Sequence, residues 1–234
     1  MHVTAIIAAA GKSRRVSGDT PKQFIHIKEK PMLAYTIEKF QDCDAVDDIV
    51  VVVAEEYEAF CRQKIVSKWA YRKVMAVVPG GENRQESVYR GLAAAEPSTD
   101  ICVVHDGARP FIAERQIAAV IQGAAFHGAC VLGVNLQDTV KRCDAASVIL
   151  DTVDRSDLWA VQTPQGFRFA PLLNAHAQAV REGFVGTDDS QLMERLGHRV
   201  KMLEGTRDNF KITTDADLAY AEFILHGKKK GIRK

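Results

Sequence analysis

The chain has 234 residues, a formal net charge of +1 and 47% hydrophobic residues. This length fits one α/β domain, and this share of apolar residues is enough to build a full core. A near-neutral chain is unsuited to holding nucleic acid by bulk charge, and no apolar run approaches the ~18 residues of a membrane span, so we expect neither partner. The five cysteines have neither metal-site nor disulfide spacing, which favours a reducing, cytoplasmic setting.

Short apolar runs rich in valine and isoleucine predict buried β-strands at residues 3–9, 49–53, 74–78, 101–104 and 130–134. Helical patterns lie between them, at residues 32–40, 56–69, 87–95 and 115–126. Strands and helices that alternate in this way indicate an α/β fold, a Rossmann-like and mostly parallel sheet with helices on both faces. The loops that follow the strands then meet at one edge of the sheet, where such folds bind ligands.

The alternation breaks after residue 134. Two short strands around a turn at residues 144–147 indicate a β-arm, at about residues 135–155, inserted in a single domain of residues 1–234. Further along, the pattern predicts a strand at 159–163, a helix at 169–181, a short helix after Asp188, a strand at 200–203 and a helix at 216–225. A two-stranded arm is marginal alone in water, so it needs its own domain or the arm of a second copy to pack against.

The first candidate site is the loop after the first strand. Small residues end that strand, and Gly11 lets the backbone approach a ligand closely. Backbone N–H groups in such a loop cradle phosphates, and Arg14, Arg15 and Lys22 supply positive charge. A plain strand-to-helix turn with a solvated basic loop is the structural alternative. With one glycine, the loop matches neither the dinucleotide-binding pattern nor the P-loop.

A second loop follows the strand at 74–78. Gly80 and Gly81 allow close approach of the backbone to a ligand, and Arg84 and Ser87 offer hydrogen-bond donors. The structural alternative is an ordinary connection that ends in a helix cap.

A third loop follows the strand at 101–104. Asp106 falls at the carboxyl edge of the sheet, where a carboxylate suits a metal ion or a ribose hydroxyl, and the forked Arg109 side chain suits a phosphate. An internal Asp–Arg pair is the structural alternative. We interpret His105 as a structural residue.

Together the loops resemble those of the 2-C-methyl-D-erythritol 4-phosphate cytidylyltransferase family of the non-mevalonate isoprenoid pathway. The resemblance covers residues 6–225 and depends on seven motifs in order rather than on one of them. The motifs are Ala8-Ala-Ala-Gly11 with Arg15 and Pro21-Lys-Gln23, Gly80-Gly81 with Arg84 and Ser87-Val88, His105-Asp106 with Ala108-Arg-Pro110, Asp138-Thr139 with Lys141, Thr163-Pro-Gln-Gly-Phe167, Thr187-Asp-Asp189, and Asn209-Phe-Lys-Ile-Thr213.

This resemblance implies a nucleotidyltransferase-type fold, transfer of CMP from CTP to the sugar-alcohol phosphate, and a homodimer formed through the β-arm. It also implies Mg²⁺ or another divalent cation, held mainly by the CTP phosphates with Asp106 as the metal ligand from the protein. The residues that it assigns are Arg15, Lys22 and Lys211 to catalysis; Ala8, Ala9, Ala10, Gly11, Gly80, Gly81, Ser87 and Asp106 to CTP binding; and Arg109, Thr139, Arg155 and Thr163 to sugar-phosphate binding.

Two positions depart from the family pattern. Ser13 stands where glycine is usual, and Asp215 stands where proline is frequent. Neither change removes a reactive group, and we expect Asp215 to cap the last helix. Two other functions stay open: a ribitol-5-phosphate cytidylyltransferase, which shares the fold and most CTP-binding motifs, and a nucleotide-binding regulatory protein without turnover.

Overall fold

The computed structural model describes residues 1–11 and 21–227, and the following account concerns those residues. The strands in chain order are β1 (Val3–Ala9), β2 (His26–Ile27), β3 (Lys30–Pro31), β4 (Asp48–Val53), β5 (Val74–Pro79), β6 (Ile101–Asp106), β7 (Ala129–Asn135), β8 (Val140–Cys143), β9 (Ile149–Val153), β10 (Trp159–Arg168) and β11 (Lys201–Glu204). The helices are α1 (Met32–Gln41), α2 (Glu58–Cys61), α3 (Arg84–Ala93), α4 (Glu114–His127), α5 (Phe169–Glu182), α6 (Asp189–Arg195) and α7 (Asp215–Gly227).

A seven-stranded sheet with the order β11-β7-β10-β6-β1-β4-β5 forms the centre of the fold. Its strand pairs are parallel, apart from the two pairs that β10 makes with β6 and β7. The register aligns Ala8 of β1 with Asp106 of β6, and Ala9 of β1 with Val53 of β4. The carboxyl ends of these strands therefore lie level at one edge of the sheet, as the sequence predicts.

Successive residues of β1 point to opposite faces of the sheet, which gives the molecule two cores. Ile7 is buried with residues of α1 and α4 on one face, whereas Ile6 is buried with residues of α3, α5 and α6 on the other. The prediction of a mostly parallel sheet with helices on both faces is confirmed. Within the described residues, the helices are all too short or too polar to cross a membrane.

The prediction of a single helix at residues 56–69 is wrong in its detail. The segment forms a 3₁₀ turn at Glu55–Tyr57, then α2, then a π-helix at Arg62–Ser67. In the last part the hydroxyl of Ser67 donates to the carbonyl oxygen of Arg62, five residues earlier, at 2.9 Å. Cys61 and Ile65 form the buried side of this segment. Apolar spacing predicts such a buried side, but it does not distinguish between helix types.

Two helix starts also differ from prediction. Helix α3 begins at Arg84 rather than residue 87, because the Asn83 side chain accepts a hydrogen bond from the Glu86 backbone N–H at 2.9 Å and so caps the helix. Helix α7 begins at Asp215, but its cap is Thr214, whose hydroxyl accepts from the Asp217 backbone N–H at 3.2 Å. The expectation that Asp215 caps this helix is therefore wrong.

Strands β8 and β9 form an antiparallel hairpin that is a separate two-stranded sheet. Its turn is closed by Asp144, whose carboxylate accepts hydrogen bonds from the backbone N–H groups of Ala146 and Val148 at 2.9 Å each. Val148, Ile149 and Leu150 are about three-fifths exposed. The arm therefore presents apolar side chains to solvent within the single chain.

Candidate active site

A pocket of about 310 Å³ opens at the carboxyl edge of the sheet, beside the end of β6. It combines three cationic side chains, two carboxylates and several neutral polar groups. Its lining residues are Arg84, Asp106, Arg109, Val161, Gln162, Thr163, Gln165, Thr187, Asp188 and Lys211. Four residues assigned from the sequence, Asp106, Arg109, Thr163 and Lys211, are therefore brought together here.

The loops after β1 and β5 pack closely beside this edge. A Cβ atom on Gly80 would lie 2.3 Å from the Cβ of Ala10 and 2.8 Å from Oγ of Ser87, so only glycine permits this approach. The Gly81 N–H donates to Oγ of Ser87 at 3.1 Å, and that hydroxyl donates to the Asn83 carbonyl at 2.8 Å. Ser87 therefore braces the glycine loop.

The end of β1 is bonded into the same edge. The carbonyl of Ala8 accepts from the Gly107 N–H at 2.8 Å, and the carbonyl of Ala9 accepts from the Gln23 side chain at 2.9 Å. The segments predicted to surround CTP are thus adjacent loops of one surface. Their residues are Ala8, Ala9, Ala10, Gly11, Gly80, Gly81 and Ser87. Their contact with CTP stays a prediction.

Asp106 is the centre of the charged cluster. Its carboxylate lies 2.8 Å from Nζ of Lys211, 3.1 Å from Nε of Arg84 and 3.6 Å from Nε of Arg109. Burial alone would raise the pKa of Asp106, but the Arg84, Lys211 and Arg109 charges outweigh burial and hold that pKa well below its ordinary range. Asp106 therefore remains a carboxylate at any pH at which the protein works.

The two lysines assigned to catalysis meet at this edge although they are distant in sequence. Nζ of Lys22 donates to the carbonyl of Ile212 at 3.0 Å, and Ile212 directly follows Lys211. The Ile212 N–H in turn donates to the Ala108 carbonyl at 2.9 Å, which ties this segment to the loop after β6. Arg15, the third catalytic assignment, and Ser13 lie outside the described residues.

His105 is buried and structural, in agreement with its interpretation from the sequence. Its Nε2 faces the Arg109 carbonyl at 3.1 Å, and a carbonyl only accepts, so Nε2 carries the proton. Burial lowers the pKa of His105 to about 4, so at neutral pH its Nδ1 is an acceptor. The Thr163 hydroxyl, 3.1 Å away, donates to Nδ1 and accepts from the Asp106 N–H at 3.0 Å. Thr163 therefore fixes the backbone of Asp106.

Arg109 is an internal residue as well as a pocket residue. Its side chain is 12% exposed, and Nη1 donates to the Asn209 carbonyl at 2.7 Å. The position of Arg109 therefore agrees with both interpretations, because the residue pairs with Asp106 and also lines the pocket. Its contact with a phosphate stays a prediction.

Thr139 and Arg155 lie elsewhere in the chain. Both are exposed and flank the arm, Thr139 directly before β8 and Arg155 shortly after β9, and neither lines the pocket of its own chain. Within one chain, the fold therefore separates these two residues from the other sugar-phosphate assignments, Arg109 and Thr163.

Several pocket residues were not assigned from the sequence. Gln162 and Gln165 reach the pocket, on either side of the assigned Thr163, because the register of β10 against β7 shifts between Val161 and Gln165, and such a bulge redirects side chains. Thr187 and Asp188 reach it from the start of α6. Gln165, Thr187 and Asp188 belong to motifs that carried the family resemblance, which was the available signal, whereas Gln162 lies just before its motif.

The described residues contain no group of three or more His, Cys, Asp or Glu side chains able to hold a metal ion. Two carboxylates line the pocket. The carboxylate oxygens of Asp188 already accept hydrogen bonds from Gln165, Ser190 and Gln191. Asp106 fits as a single ligand, because its carboxylate is ionised and lines the pocket. Mg²⁺ commonly combines one or two carboxylates with substrate phosphates.

The mostly parallel sheet, the glycine-containing loops at its carboxyl edge and the cationic pocket around a carboxylate define an α/β protein of the nucleotidyltransferase type. Residues 3–227 match the family model described as "IspD: 2-C-methyl-D-erythritol 4-phosphate cytidylyltransferase". The chain belongs to this family, which confirms the resemblance that its motifs indicate.

Individual relatives agree with the family match. The chain is 42% identical over 225 residues to the 2-C-methyl-D-erythritol 4-phosphate cytidylyltransferase of Caldanaerobacter subterraneus, with 96% of this chain and 99% of that protein covered. Among solved structures, the enzyme of that name from Thermus thermophilus is 34% identical with a TM-score of 0.80, covering 97% of this chain and 100% of that one. The 4-diphosphocytidyl-2C-methyl-D-erythritol synthase of Anaerococcus prevotii has a TM-score of 0.84 at 28% identity, with 96% of each chain covered.

Proposed function

We propose that the chain transfers CMP from CTP to 2-C-methyl-D-erythritol 4-phosphate, giving 4-diphosphocytidyl-2-C-methyl-D-erythritol and pyrophosphate. Family membership over residues 3–227 supports this activity. The structural observation that carries it is that Lys22 binds the Ile212 carbonyl directly after Lys211, whose ammonium group pairs with Asp106, because this brings two positive charges to the edge of the sheet where two anions must meet.

The reaction joins two phosphates. An oxygen of the sugar phosphate attacks the α-phosphorus of CTP, a new P–O bond forms, and the bond to the β-phosphate breaks to release pyrophosphate. A phosphomonoester has its second pKa near ~6, so the nucleophile is already mostly ionised at neutral pH. The protein therefore has no need of a general base. Its task is to bring two anions together and to stabilise the charge of the transition state.

Lys22, Lys211 and Arg15 are our candidates for this task. Lys211 is held by Asp106 in the described structure, and a substrate phosphate competes for the same ammonium group. Removing one such contact typically lowers the rate by ~10²–10³. Mg²⁺, bound mainly by the CTP phosphates with Asp106 as a protein ligand, supplies further neutralisation of the phosphate charge when present.

The acceptor site combines residues from two places in the fold. Arg109 and Thr163 lie at the pocket, whereas Thr139 and Arg155 flank the arm. We infer that the arms of two copies clasp in a homodimer, so that Thr139 and Arg155 of one copy reach the pocket of the other. The exposed apolar residues of the arm, Val148, Ile149 and Leu150, support this arrangement because a hairpin alone in water is marginal.

We place the enzyme in the cytoplasm. The five cysteines are all free thiols, four buried and one exposed, which suits a reducing compartment.

The proposal is tested by measuring pyrophosphate release from CTP with two acceptors in parallel. We expect turnover with 2-C-methyl-D-erythritol 4-phosphate to exceed turnover with ribitol 5-phosphate by at least ~10-fold, which is about 1.4 kcal/mol. Preference for ribitol 5-phosphate would reassign the acceptor. Binding of CTP without pyrophosphate release with either acceptor would instead indicate a regulatory protein.

A further inference from the structure

A chain of charged groups runs from the pocket residues Asp106 and Arg84 into the interior of the fold, to Asp189 and His176. Nη1 of Arg84 donates to the Asp189 carboxylate at 2.7 Å, and Nε of Arg84 donates to Asp106 at 3.1 Å. The other oxygen of Asp189 lies 3.1 Å from Nε2 of His176, which donates because a carboxylate only accepts. The side chains of Asp189 and His176 are 1% and 0% exposed. The chain joins α5, α6, α3 and β6.

These contacts fix the orientation of one guanidinium group. A guanidinium is planar and has five N–H donors, and the bonds to Asp106 and Asp189 use two of them. The Arg84 side chain is 30% exposed and lines the pocket. The plane of Arg84 is thus set by two carboxylates, while its remaining donors belong to the part of the side chain available to a ligand.

Stability alone is a weak reason for such an arrangement. Burying two carboxylates and a guanidinium carries a large desolvation penalty, and replacing buried ion pairs with apolar residues is often neutral or stabilising. Asp189 has no place in the pocket lining, whereas its partner Arg84 does. The hydrogen bond to Arg84 is the direct contact of the Asp189 side chain with the pocket lining.

We propose that Asp189 is a positioning residue that holds Arg84 in the orientation that binds the phosphomonoester of the acceptor. His176 in turn fixes Asp189 by donating a hydrogen bond to its carboxylate. This inference rests on the proposed function for the identity of the acceptor, but the phosphate chemistry of the pocket is separate from it. Arg84 is then a substrate-binding residue beside Arg109, and Asp189 acts on the substrate only through Arg84.

The first test is steady-state kinetics of Asp189→Asn, with Glu182→Gln as a matched control. Glu182 also pairs across α5 and α6, with Arg195 at 2.9 Å, but this pair is exposed and away from the pocket lining. For Asp189→Asn we expect the KM for the sugar phosphate to rise about tenfold and the KM for CTP to change less than about twofold. Glu182→Gln should change neither. Unchanged KM values, or a fall in kcat alone, would overturn the inference.

A double-mutant cycle with Arg84→Met tests whether the effect of Asp189 on the sugar-phosphate KM depends on Arg84. If Asp189 acts through Arg84, then Asp189→Asn has little further effect on the sugar-phosphate KM in the Arg84→Met background. Equal effects in both backgrounds would show an independent structural role. Should Asp189→Asn fail to fold, Arg84→Lys replaces it, since lysine keeps the charge but loses the fork that contacts both carboxylates. We expect the same rise in KM, and a normal KM would contradict the proposal.

Binding of inorganic phosphate, followed by ³¹P NMR titration, separates this inference from the proposed function. We expect the unmodified protein to bind phosphate, and Asp189→Asn and Arg84→Met to weaken binding about fivefold or more. Weakened binding in a protein that forms no product from CTP would overturn the proposed function and leave the role of Asp189 supported. Equal phosphate binding by all three proteins, or none by the unmodified protein, would overturn the role of Asp189.

Discussion

At the scale of single residues, the cluster around Asp106 explains why a reaction between two anions needs few side chains. Lys211 is the cation closest to the Asp106 carboxylate, and its segment also binds Lys22 through the Ile212 carbonyl. Asp106 is ionised and is shared among three cations, so each of them keeps a fixed position before substrate arrives. Such preorganisation lowers the reorganisation needed in the transition state.

We expect Lys211→Ala to lower kcat by ~10² or more while the protein stays folded, because the lost ammonium no longer stabilises the charge on the α-phosphate. Lys64→Ala, which removes an exposed lysine of the π-helix, is the control and should keep normal turnover. Circular dichroism checks the fold of both variants. Near-normal turnover by a folded Lys211→Ala protein would remove Lys211 from the mechanism.

His105 gives a prediction about pH. Burial lowers its pKa from 6.5 to about 4, so between these values the unfolded chain binds a proton that the folded chain does not. The free energy of unfolding should therefore fall as the pH is lowered from about 6.5 to about 4, by an amount on the order of 3 kcal/mol for this one group. The carboxylates with lowered pKa, Asp106 and Asp189, lose their contributions at still lower pH.

Urea denaturation at two pH values measures this effect. His105→Gln retains a donor for the Arg109 carbonyl but does not titrate, so its stability should depend much less on pH between about 6.5 and 4.5. An identical pH dependence in the variant and the unmodified protein would show that His105 is not responsible.

At the scale of secondary-structure elements, the sequence predicts what depends on local pattern. The strand at Val3–Ala9 was predicted with its observed bounds, because its apolar run is continuous and Gly11 follows shortly after. The reversed direction of β10 and its bulge were not predicted, since both depend on the neighbouring strands β6 and β7. For the same reason the sequence indicated Asp106 and Lys211 but not the bridge from Arg84 to Asp189, which joins residues that only the folded chain brings together.

The contact between the loops after β1 and β5 leads to a prediction for Gly80→Ala. The added Cβ would lie 2.3 Å from the Cβ of Ala10, so the loops must separate. We expect a loss of about 1–3 kcal/mol of stability, as for other overpacked sites, and a higher KM for CTP. Adding Ala10→Gly should recover part of both losses because it removes the nearest clashing atom. Normal thermal stability and CTP kinetics for Gly80→Ala would contradict the close packing of these loops.

The arm leads to a prediction about assembly. Leu150→Asp places a charge among the exposed apolar residues of β9, so light scattering at micromolar concentration should show a monomer where the unmodified chain is a dimer. A monomeric mass for the unmodified chain would contradict the proposed dimer.

Mixing two inactive chains tests whether the dimer shares its sites. In a mixed dimer of Arg155→Ala and Lys22→Ala chains, a shared site leaves one of the two sites intact, so activity should partly return. If Arg155 acts within its own chain, every site keeps one defect. No recovery after proven subunit exchange would therefore assign Arg155 to its own subunit.

At the scale of the whole molecule, the sheet brings the loops after β1, β5 and β6 together at one edge. The loops assigned to CTP are in close contact at Ala10 and Gly80, and we expect a surface of such small residues to accept a pyrimidine better than a purine. We therefore expect CTP to be preferred over ATP and GTP by at least ~10-fold, or roughly 1.4 kcal/mol, in pyrophosphate release. Equal use of the purine nucleotides would show that these loops do not select the base.

The central claim is that this edge joins the phosphate of a sugar alcohol to the α-phosphate of CTP. The most direct measurement is ³¹P NMR of the unmodified protein incubated with CTP, Mg²⁺ and 2-C-methyl-D-erythritol 4-phosphate. We predict loss of the phosphomonoester signal and growth of two coupled diphosphate signals together with pyrophosphate, and all of these changes should be ~10²-fold slower or more when Lys211→Ala replaces the unmodified chain at equal concentration. Pyrophosphate accompanied by CMP with the phosphomonoester intact, or an unchanged spectrum, would contradict the account.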